Sequence, residues 1–357
     1  MTIYEPHKSL RIIDANLNRA SEGLRVLEDI ARFSLNDARL SQELRTIRHS
    51  LVQKSELLGI KLLSQRDSEH DVGINRKKQP QQDLADMVRA NARRVEESLR
   101  VLEEMARLPQ LSSLMDSAKL EQTRFTLYTT ERELVSRVLR HDKTKRLRGL
   151  YLILDREVLA GRDAVDAARE VVAVGASAVQ LRDKKASKRE LLPIAQKLRD
   201  LCVKAGVLFI INDYLDLALA VDADGLHLGQ KDLPLSVIRR ELPLDKIAGC
   251  SVNTVSQAIR AQEEGTDYIS LGSIFATETK EGAIVVGTER IREVRKAISA
   301  PLVAIGGINQ DNAGQVIASG ADCIAASRSI LCQDNIKRAA EQMVAQIKAE
   351  EEKCQKQ

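Results

Sequence analysis

The sequence predicts two domains of different class: an all-α helical bundle in front, then an α/β domain folded as a closed (β/α)8 TIM barrel. Three observations carry this. Up to about Arg140 the chain has few Gly or Pro, and apolar residues recur at three- and four-residue steps. Within that half one helical segment occurs twice. From Gly149 onward, short β-branched runs alternate with helical stretches. The boundary is set between residues 142 and 143, giving domains 1–142 and 143–357.

Four main helices are expected in the first domain, near 8–34, 37–60, 82–108 and 113–141. The segment IDANLNRASEGLRVLEDIARF (Ile13–Phe33) matches VRANARRVEESLRVLEEMARL (Val88–Leu108) at a constant offset of 75 positions. Asn16 pairs with Asn91, Arg19 with Arg94, Glu22 with Glu97, Arg25 with Arg100 and Glu28 with Glu103. The second helix of each unit carries a similar Arg, Arg48 and Arg124. Two copies of a helical hairpin predict a four-helix bundle with pseudo-twofold symmetry. Between them SQRDSEHDVGINRKKQPQQ (Ser64–Gln82) reads as a long polar loop. The basic stretch RHDKTKRLR (Arg140–Arg148) reads as a solvated helix end plus linker.

The second domain offers eight strand-like runs: GLYLILD, ASAVQLRD, VLFIIND, DGLHLG, KIAGCS, DYISLG, PLVAIGG and ADCIAAS. Helical segments such as Arg189–Ala205, Thr254–Gly265 and Thr288–Ser299 separate most of them. Eight parallel strands fit a closed barrel. A doubly wound open sheet is the alternative, but no GxGxxG opens a helix after the first strand.

Composition narrows the function. Lys and Arg total 55 and Asp and Glu 51, a net charge of +4, which suits small anionic substrates and is no nucleic-acid footprint. Cys202, Cys250, Cys323, Cys332 and Cys354 are scattered without metal-ligand spacing and read as reduced core thiols. The N-terminus has no apolar signal segment, and no run approaches the roughly 20 apolar residues of a membrane span. A soluble cytoplasmic protein is expected, with small-molecule partners, no nucleic acid and no membrane; a homo-oligomer is left open.

Barrel chemistry sits at the C-terminal ends of strands. The second strand ends in Gln180-Leu181-Arg182-Asp183-Lys184, and alternation puts Gln180, Arg182 and Lys184 on one side. Arg with Lys can clamp a polyphosphate, although an exposed basic strand end reads the same way. The third strand ends in Asn212-Asp213, and HLGQKD after the fourth ends in Asp232. Two carboxylates on neighbouring strand ends can hold one Mg2+; the competing reading of Asp232 is a helix N-cap before LPLSVIRREL. His227 reads as interior packing, and Ser251 as either a ligand contact or a turn hydroxyl. The loop LGSIFATETKEGA carries Thr277, Thr279 and Lys280. The seventh strand ends in Ala304-Ile305-Gly306-Gly307-Ile308 and the eighth in Ala326-Ser327-Arg328-Ser329, the place where barrels of this kind cradle a phosphate. The rim therefore offers a single-phosphate site and a Mg2+-diphosphate site.

At matching spacing and in the same order, QLRDK, FIINDYLDLALAVDADGLHLGQKD, LGSIFATETK and AIGGI resemble the thiamine-phosphate synthase family over about 149–345. The resemblance implies a transferase that joins hydroxymethylpyrimidine diphosphate to a thiazole phosphate and releases pyrophosphate, Mg2+-assisted and dissociative. It assigns Gln180, Leu181, Arg182, Asp183, Lys184, Asn212, Ser251 and Lys280 to the pyrimidine diphosphate, with Arg182, Lys184, Ser251 and Lys280 in catalytic roles. Asp213 and Asp232 go to Mg2+. Thr277, Glu278, Thr279, Gly307, Ser327 and Arg328 go to the thiazole phosphate. Four positions depart from the family pattern. Ser273 and Ala276 stand where Pro is frequent, implying a looser loop; Asp183 replaces Glu, with its side chain expected to point away from the ligand; Arg328 replaces a small apolar residue. Rival readings are another phosphate barrel, or a relative that binds without turnover.

The first domain resembles the helical domain in front of long-form thiamine-phosphate synthases. This implies a hydroxymethylpyrimidine-phosphate kinase using ATP and Mg2+, with Asn16, Arg19, Asn91, Arg94, Arg66, Asp67 and Asp71 as candidates. There is neither GxxxxGKS/T nor a protein-kinase signature set. The repeated Asn, Arg and Glu positions equally suit structural ion pairs, or a dimerisation module without chemistry.

Overall fold

The computed structural model describes residues 6–64, 83–277 and 284–355. The chain divides into two compact units, Met1–Leu139 and Arg140–Gln357. Among the described residues no helix is long and apolar enough to cross a membrane.

The first unit is built from α1 (Pro6–Asp29), which runs on into a wider turn at Ile30–Ser34, α2 (Ala38–Leu63), α3 (Leu84–Ala106) and α4 (Ser117–Lys145) as far as Leu139, the rest of α4 belonging to the second unit. The Asp37 carboxylate takes the Leu40 N–H at 3.0 Å, and Asp83 caps α3 through the Asp86 N–H at 2.7 Å. Leu17, Leu24, Leu27, Leu44, Leu99 and Leu102 form the seam that the helical spacing predicts.

The internal repeat is realised in side-chain bonds. Asn16 donates to the Ile12 carbonyl and Asn91 to the Met87 carbonyl, each at 2.8 Å and each one turn back. Glu28 meets Arg48 at 2.8 Å, and Glu103 meets Arg124 at 3.1 Å, so each hairpin carries the same buried ion pair. Such a pair recovers little net free energy after desolvation, but removing one partner is costly, so it fixes the register of helix on helix. Gly23 stands where the second copy has Ser98. A Cβ at Gly23 would lie 2.7 Å from Val95 Cγ2, so α1 and α3 approach each other closely there.

The second unit is a closed parallel barrel in sequence order: β1 (Gly149–Asp155), β2 (Ala178–Arg182), β3 (Leu208–Asn212), β4 (Gly225–Leu228), β5 (Ile247–Val252), β6 (Tyr268–Leu271), β7 (Leu302–Ile305) and β8 (Cys323–Ala326). Alternation sorts the side chains. Tyr151, Ile153, Ala178, Ile210, Ile247, Tyr268, Val303 and Cys323 fill the interior. Leu152, Val179, Leu181, Phe209, Leu226, Ile269 and Ile324 pack outward with the helices. Gly249 makes room for Tyr268: a Cβ there would sit 2.0 Å from the ring's Cζ.

One device recurs at the N-terminal rim. Asp224, Asp267 and Asp322 each precede an even-numbered strand. They accept the Phe209 N–H at 3.0 Å, the Ala248 N–H at 2.8 Å and the Leu302 N–H at 2.8 Å, respectively. Each also pairs with an Arg from the helix before the neighbouring odd-numbered strand: Arg199, Arg239 and Arg295. Asp322→Asn keeps an acceptor for Leu302 but loses the charge facing Arg295. Both side chains are about a third exposed, so urea unfolding is expected to show a loss of only about 1 kcal/mol.

The stretch 140–148 holds the end of α4, as expected, but is only partly solvated. Arg140, 7% exposed, bonds Asp267 at 2.7 Å, and Lys143 bonds the Asp245 carbonyl at 2.8 Å. Cys202, Cys250 and Cys323 are core thiols as expected, whereas Cys332 and Cys354 are exposed; all five are free.

Candidate active site

At the C-terminal ends of β1 to β4 the barrel gathers an acidic pair flanked by two bases. Asp213 follows β3 with φ 62°, a left-handed conformation that few residues other than Gly, Asn and Asp adopt readily. Its backbone N–H reaches the His227 carbonyl at 2.9 Å, which ties the turn to β4. The Asp213 carboxyl neighbours that of Asp232; burial together with that neighbouring carboxyl pushes it up to about 6. Lys184 stands 3.7 Å from Asp213. Asp232 is not a helix cap: the helix Leu235–Glu241 begins after Pro234, and Asp232 instead folds back onto the Gly229 N–H at 2.6 Å.

Arg182 is clamped by Asp155, its register partner at the end of β1. Asp155 is 3% exposed and also takes the Glu157 N–H at 3.1 Å. Sequence reading missed Asp155, although it closes its strand just as the other rim groups do. Two residues expected at the ligand turn their side chains elsewhere. Leu181 alternates outward and is buried among core residues of the helix layer. Asp183 is spent on the Lys185 and Ala186 N–H groups, both at 2.8 Å, and on Arg156 at 3.0 Å, so it shapes the loop. Asn212 is buried at the end of β3.

Beneath this rim five side chains form a continuous polar chain across the interior. Gln180 Nε2 donates to the Tyr151 hydroxyl at 2.8 Å, and that hydroxyl lies 3.1 Å from the Tyr268 hydroxyl. Tyr268 bonds His227 Nδ1 at 3.0 Å, and His227 Nε2 bonds Ser251 Oγ at 2.9 Å. His227 is thus more than packing. Burial pushes its imidazole down to about 4, so it is neutral at physiological pH. The two tyrosines were invisible as site residues because an aromatic inside an apolar run reads as core. Ser251 is no mere turn hydroxyl, since it ends this chain; its carbonyl also accepts from Gln230 at 2.6 Å.

The loop after β6 is held by backbone bonds over Ser273–Phe275. The Ser273 N–H and carbonyl bond Ile284 and Val286 at 3.3 and 2.8 Å, and the Ile274 and Phe275 N–H groups bond the carbonyls of Ile305 and Gly306 at 2.9 and 3.0 Å. Ser273 in place of Pro therefore does not loosen this part; its N–H makes a bond that Pro lacks. Gly306 and Gly307 have φ of 98° and 65°, and a Cβ on either would collide with Ser273 or with Phe275 and Ala276. The glycines are needed by this loop packing, whatever else approaches them. Ser327 precedes the short helix Arg328–Leu331 with φ −133° and ψ −86°. Its Oγ is buried without a hydrogen-bond partner among the described residues, an expensive state for a hydroxyl unless a ligand completes it.

Glu278, Thr279 and Lys280 lie outside the described residues, as do Arg66, Asp67 and Asp71 of the first unit. In that unit Asn16 and Asn91 are committed to their own helices, while Arg94 leans on Asn91 at 3.2 Å.

The barrel matches the family model "Thiamine monophosphate synthase" over residues 150–330, and the bundle matches the "ThiD2 family" over 11–133. Thiamine-phosphate synthase of Gloeobacter violaceus is 38% identical, covering 94% of this chain and 96% of its own. That of Methanospirillum hungatei is 46% identical over 54% of this chain and 94% of its own. The solved thiamine phosphate pyrophosphorylase of Pyrococcus furiosus superposes with a TM-score of 0.54 at 37% identity, covering 58% of this chain and 98% of its own. Fold, strand-end chemistry and relatives agree: the chain belongs to the thiamine-phosphate synthase family and is a transferase.

Proposed function

We propose that the barrel rim joins hydroxymethylpyrimidine diphosphate to thiazole phosphate with release of pyrophosphate. One observation carries the reading: a carboxylate pair, Asp213 with Asp232, stands beside Lys184 where strands converge, with Arg182 held on the neighbouring strand ends. The pair fits a divalent cation. Two neighbouring hard-oxygen donors carry more negative charge than one lysine offsets. Mg2+ takes oxygen ligands and usually keeps part of its shell for phosphate and water, so a carboxylate pair is a sufficient protein contribution. When bound, Mg2+ would offset charge on the diphosphate.

The protein's own groups account for the remaining work. Arg182 and Lys184 orient the diphosphate and stabilise the negative charge that grows as the methylene C–O bond breaks and its electron pair leaves with pyrophosphate. Gln180, Asn212 and Ser251 hold the pyrimidine, whose amino group stabilises the methylene cation. The Ser327 hydroxyl and the backbone around Gly307 and Arg328 hold the thiazole phosphate so that the ring nitrogen meets that carbon and forms the C–N bond. Family resemblance implies that Thr277, Glu278 and Thr279 contact the thiazole phosphate and Lys280 the diphosphate. No nucleophilic side chain is required.

Calorimetry with inorganic pyrophosphate tests the rim. Binding is expected with Mg2+ and is lost in EDTA; equal binding without the metal would remove the carboxylate pair from the account.

Relatives such as the Methanospirillum hungatei protein match the barrel alone and carry the synthase name, which supports giving the synthase reaction to the barrel. For the bundle, the satisfied state of Asn16 and Asn91 favours a structural role at those positions. Product formation from the pyrimidine monophosphate plus ATP would instead assign the bundle a kinase step.

A further inference from the structure

The chain Gln180–Tyr151–Tyr268–His227–Ser251 contains three hydroxyls and one imidazole, each able to donate or accept. Taken alone these four have no direction. Gln180 breaks the symmetry, because its amide nitrogen, a donor only, faces Tyr151 at 2.8 Å. Tyr151 must then spend its single proton on Tyr268, and Tyr268 spends its own on His227 Nδ1. A neutral imidazole has one N–H, so with Nδ1 accepting, the proton sits on Nε2 and is given to Ser251 Oγ.

We propose that Tyr151, Tyr268 and His227 are positioning residues that make this chain one-directional, so that Gln180 meets the ligand as an acceptor and Ser251 meets it as a donor. The choice of ligand end groups follows: a ring substituent with N–H to give at Gln180, and an oxygen or nitrogen with a lone pair at Ser251. This rests on the reading of Gln180 and Ser251 as ligand contacts. Packing supports the arrangement. Tyr151 and Tyr268 are 1% and 0% exposed, and Gly249 leaves the Tyr268 ring a fixed slot. A reversed chain would turn the Gln180 amide around and offer two donors or two acceptors to the wrong groups, so specificity and direction are linked.

Imidazole 15N NMR of the full-length protein reads the direction without any turnover. The His227 resonances, identified by their loss in His227→Asn, are expected to show the proton on Nε2 and a hydrogen-bonded, unprotonated Nδ1. A proton on Nδ1 overturns the proposal. Tyr268→Phe keeps the ring in its slot and cuts the chain. It should give a mixture of tautomers and lower kcat/KM for the diphosphate roughly three- to tenfold, with the KM for thiazole phosphate unchanged. Tyr151→Phe leaves the Tyr268–His227 bond in place but disconnects it from Gln180, so it too should give a mixture of tautomers and lower the same kcat/KM. An unchanged tautomer and unchanged kcat/KM in Tyr268→Phe would also overturn it. An Nε2 proton in a chain that makes no thiamine phosphate supports the relay and strikes only the functional reading.

Discussion

Asp213→Asn is expected to lower kcat at least about a hundredfold, the scale on which a metal's charge stabilisation acts, while the ligand-free protein becomes more heat-stable at neutral pH. Asn is chosen because Asp213 sits at φ 62°, a conformation that Asn tolerates and Ala resists. The variant therefore removes charge without straining the turn. The stability gain follows from the carboxyl's position. Burial and Asp232 push it up to about 6 in the folded chain, against about 4 in an unfolded one. Between those values the folded state binds more protons than the unfolded state, so stability falls as pH rises through that window. Above it the wild type carries the full penalty and the Asp213→Asn variant none. Melting curves at pH 5 and pH 8 without metal should show the variant's advantage growing at the higher pH. Unimpaired turnover, or a destabilised variant at pH 8, would contradict the role given to the pair.

Gly249→Ala is expected to cost about 3–5 kcal/mol, the largest stability effect foreseen for a single methyl group. Overpacking alone costs roughly 1–3 kcal/mol. Here the added Cβ would lie 2.0 Å from Cζ and 2.3 Å from both Cε atoms of Tyr268, inside a closed barrel. The ring can yield only by giving up its bonds to Tyr151 and His227, and each buried group left unpaired adds about 1–3 kcal/mol. Urea unfolding measures the loss. A change below about 1 kcal/mol would mean the ring has somewhere else to go, and that the interior chain is not rigidly held.

The architecture was legible because it is written in period. Eight runs such as VLFIIND stand between helical stretches, and the copies around Asn16 and Asn91 announced the bundle's symmetry before any contact was known. Strand alternation also placed Gln180 and Arg182 together, and the same alternation sends Leu181 outward. Partnership was harder to read. Arg140 looks identical in sequence whether it meets water or Asp267, and Asp232 before a helix looks like a cap until Pro234 takes that position. Tyr151 and Tyr268 are hydrophobic by composition, and their hydroxyls gain meaning only when the barrel closes and brings β1 beside β2 and β6 across from them. Asp155 was passed over for a similar reason: its value lies in Arg182, distant in sequence and adjacent in register.

The most direct test of the central claim supplies the purified full-length chain with Mg2+, thiazole phosphate and preformed hydroxymethylpyrimidine diphosphate, and follows both products by chromatography. The account predicts thiamine phosphate and pyrophosphate in equal amounts, abolished by EDTA and nearly so by Asp213→Asn. Absence of product from the wild type, or product that survives both interventions, would contradict it.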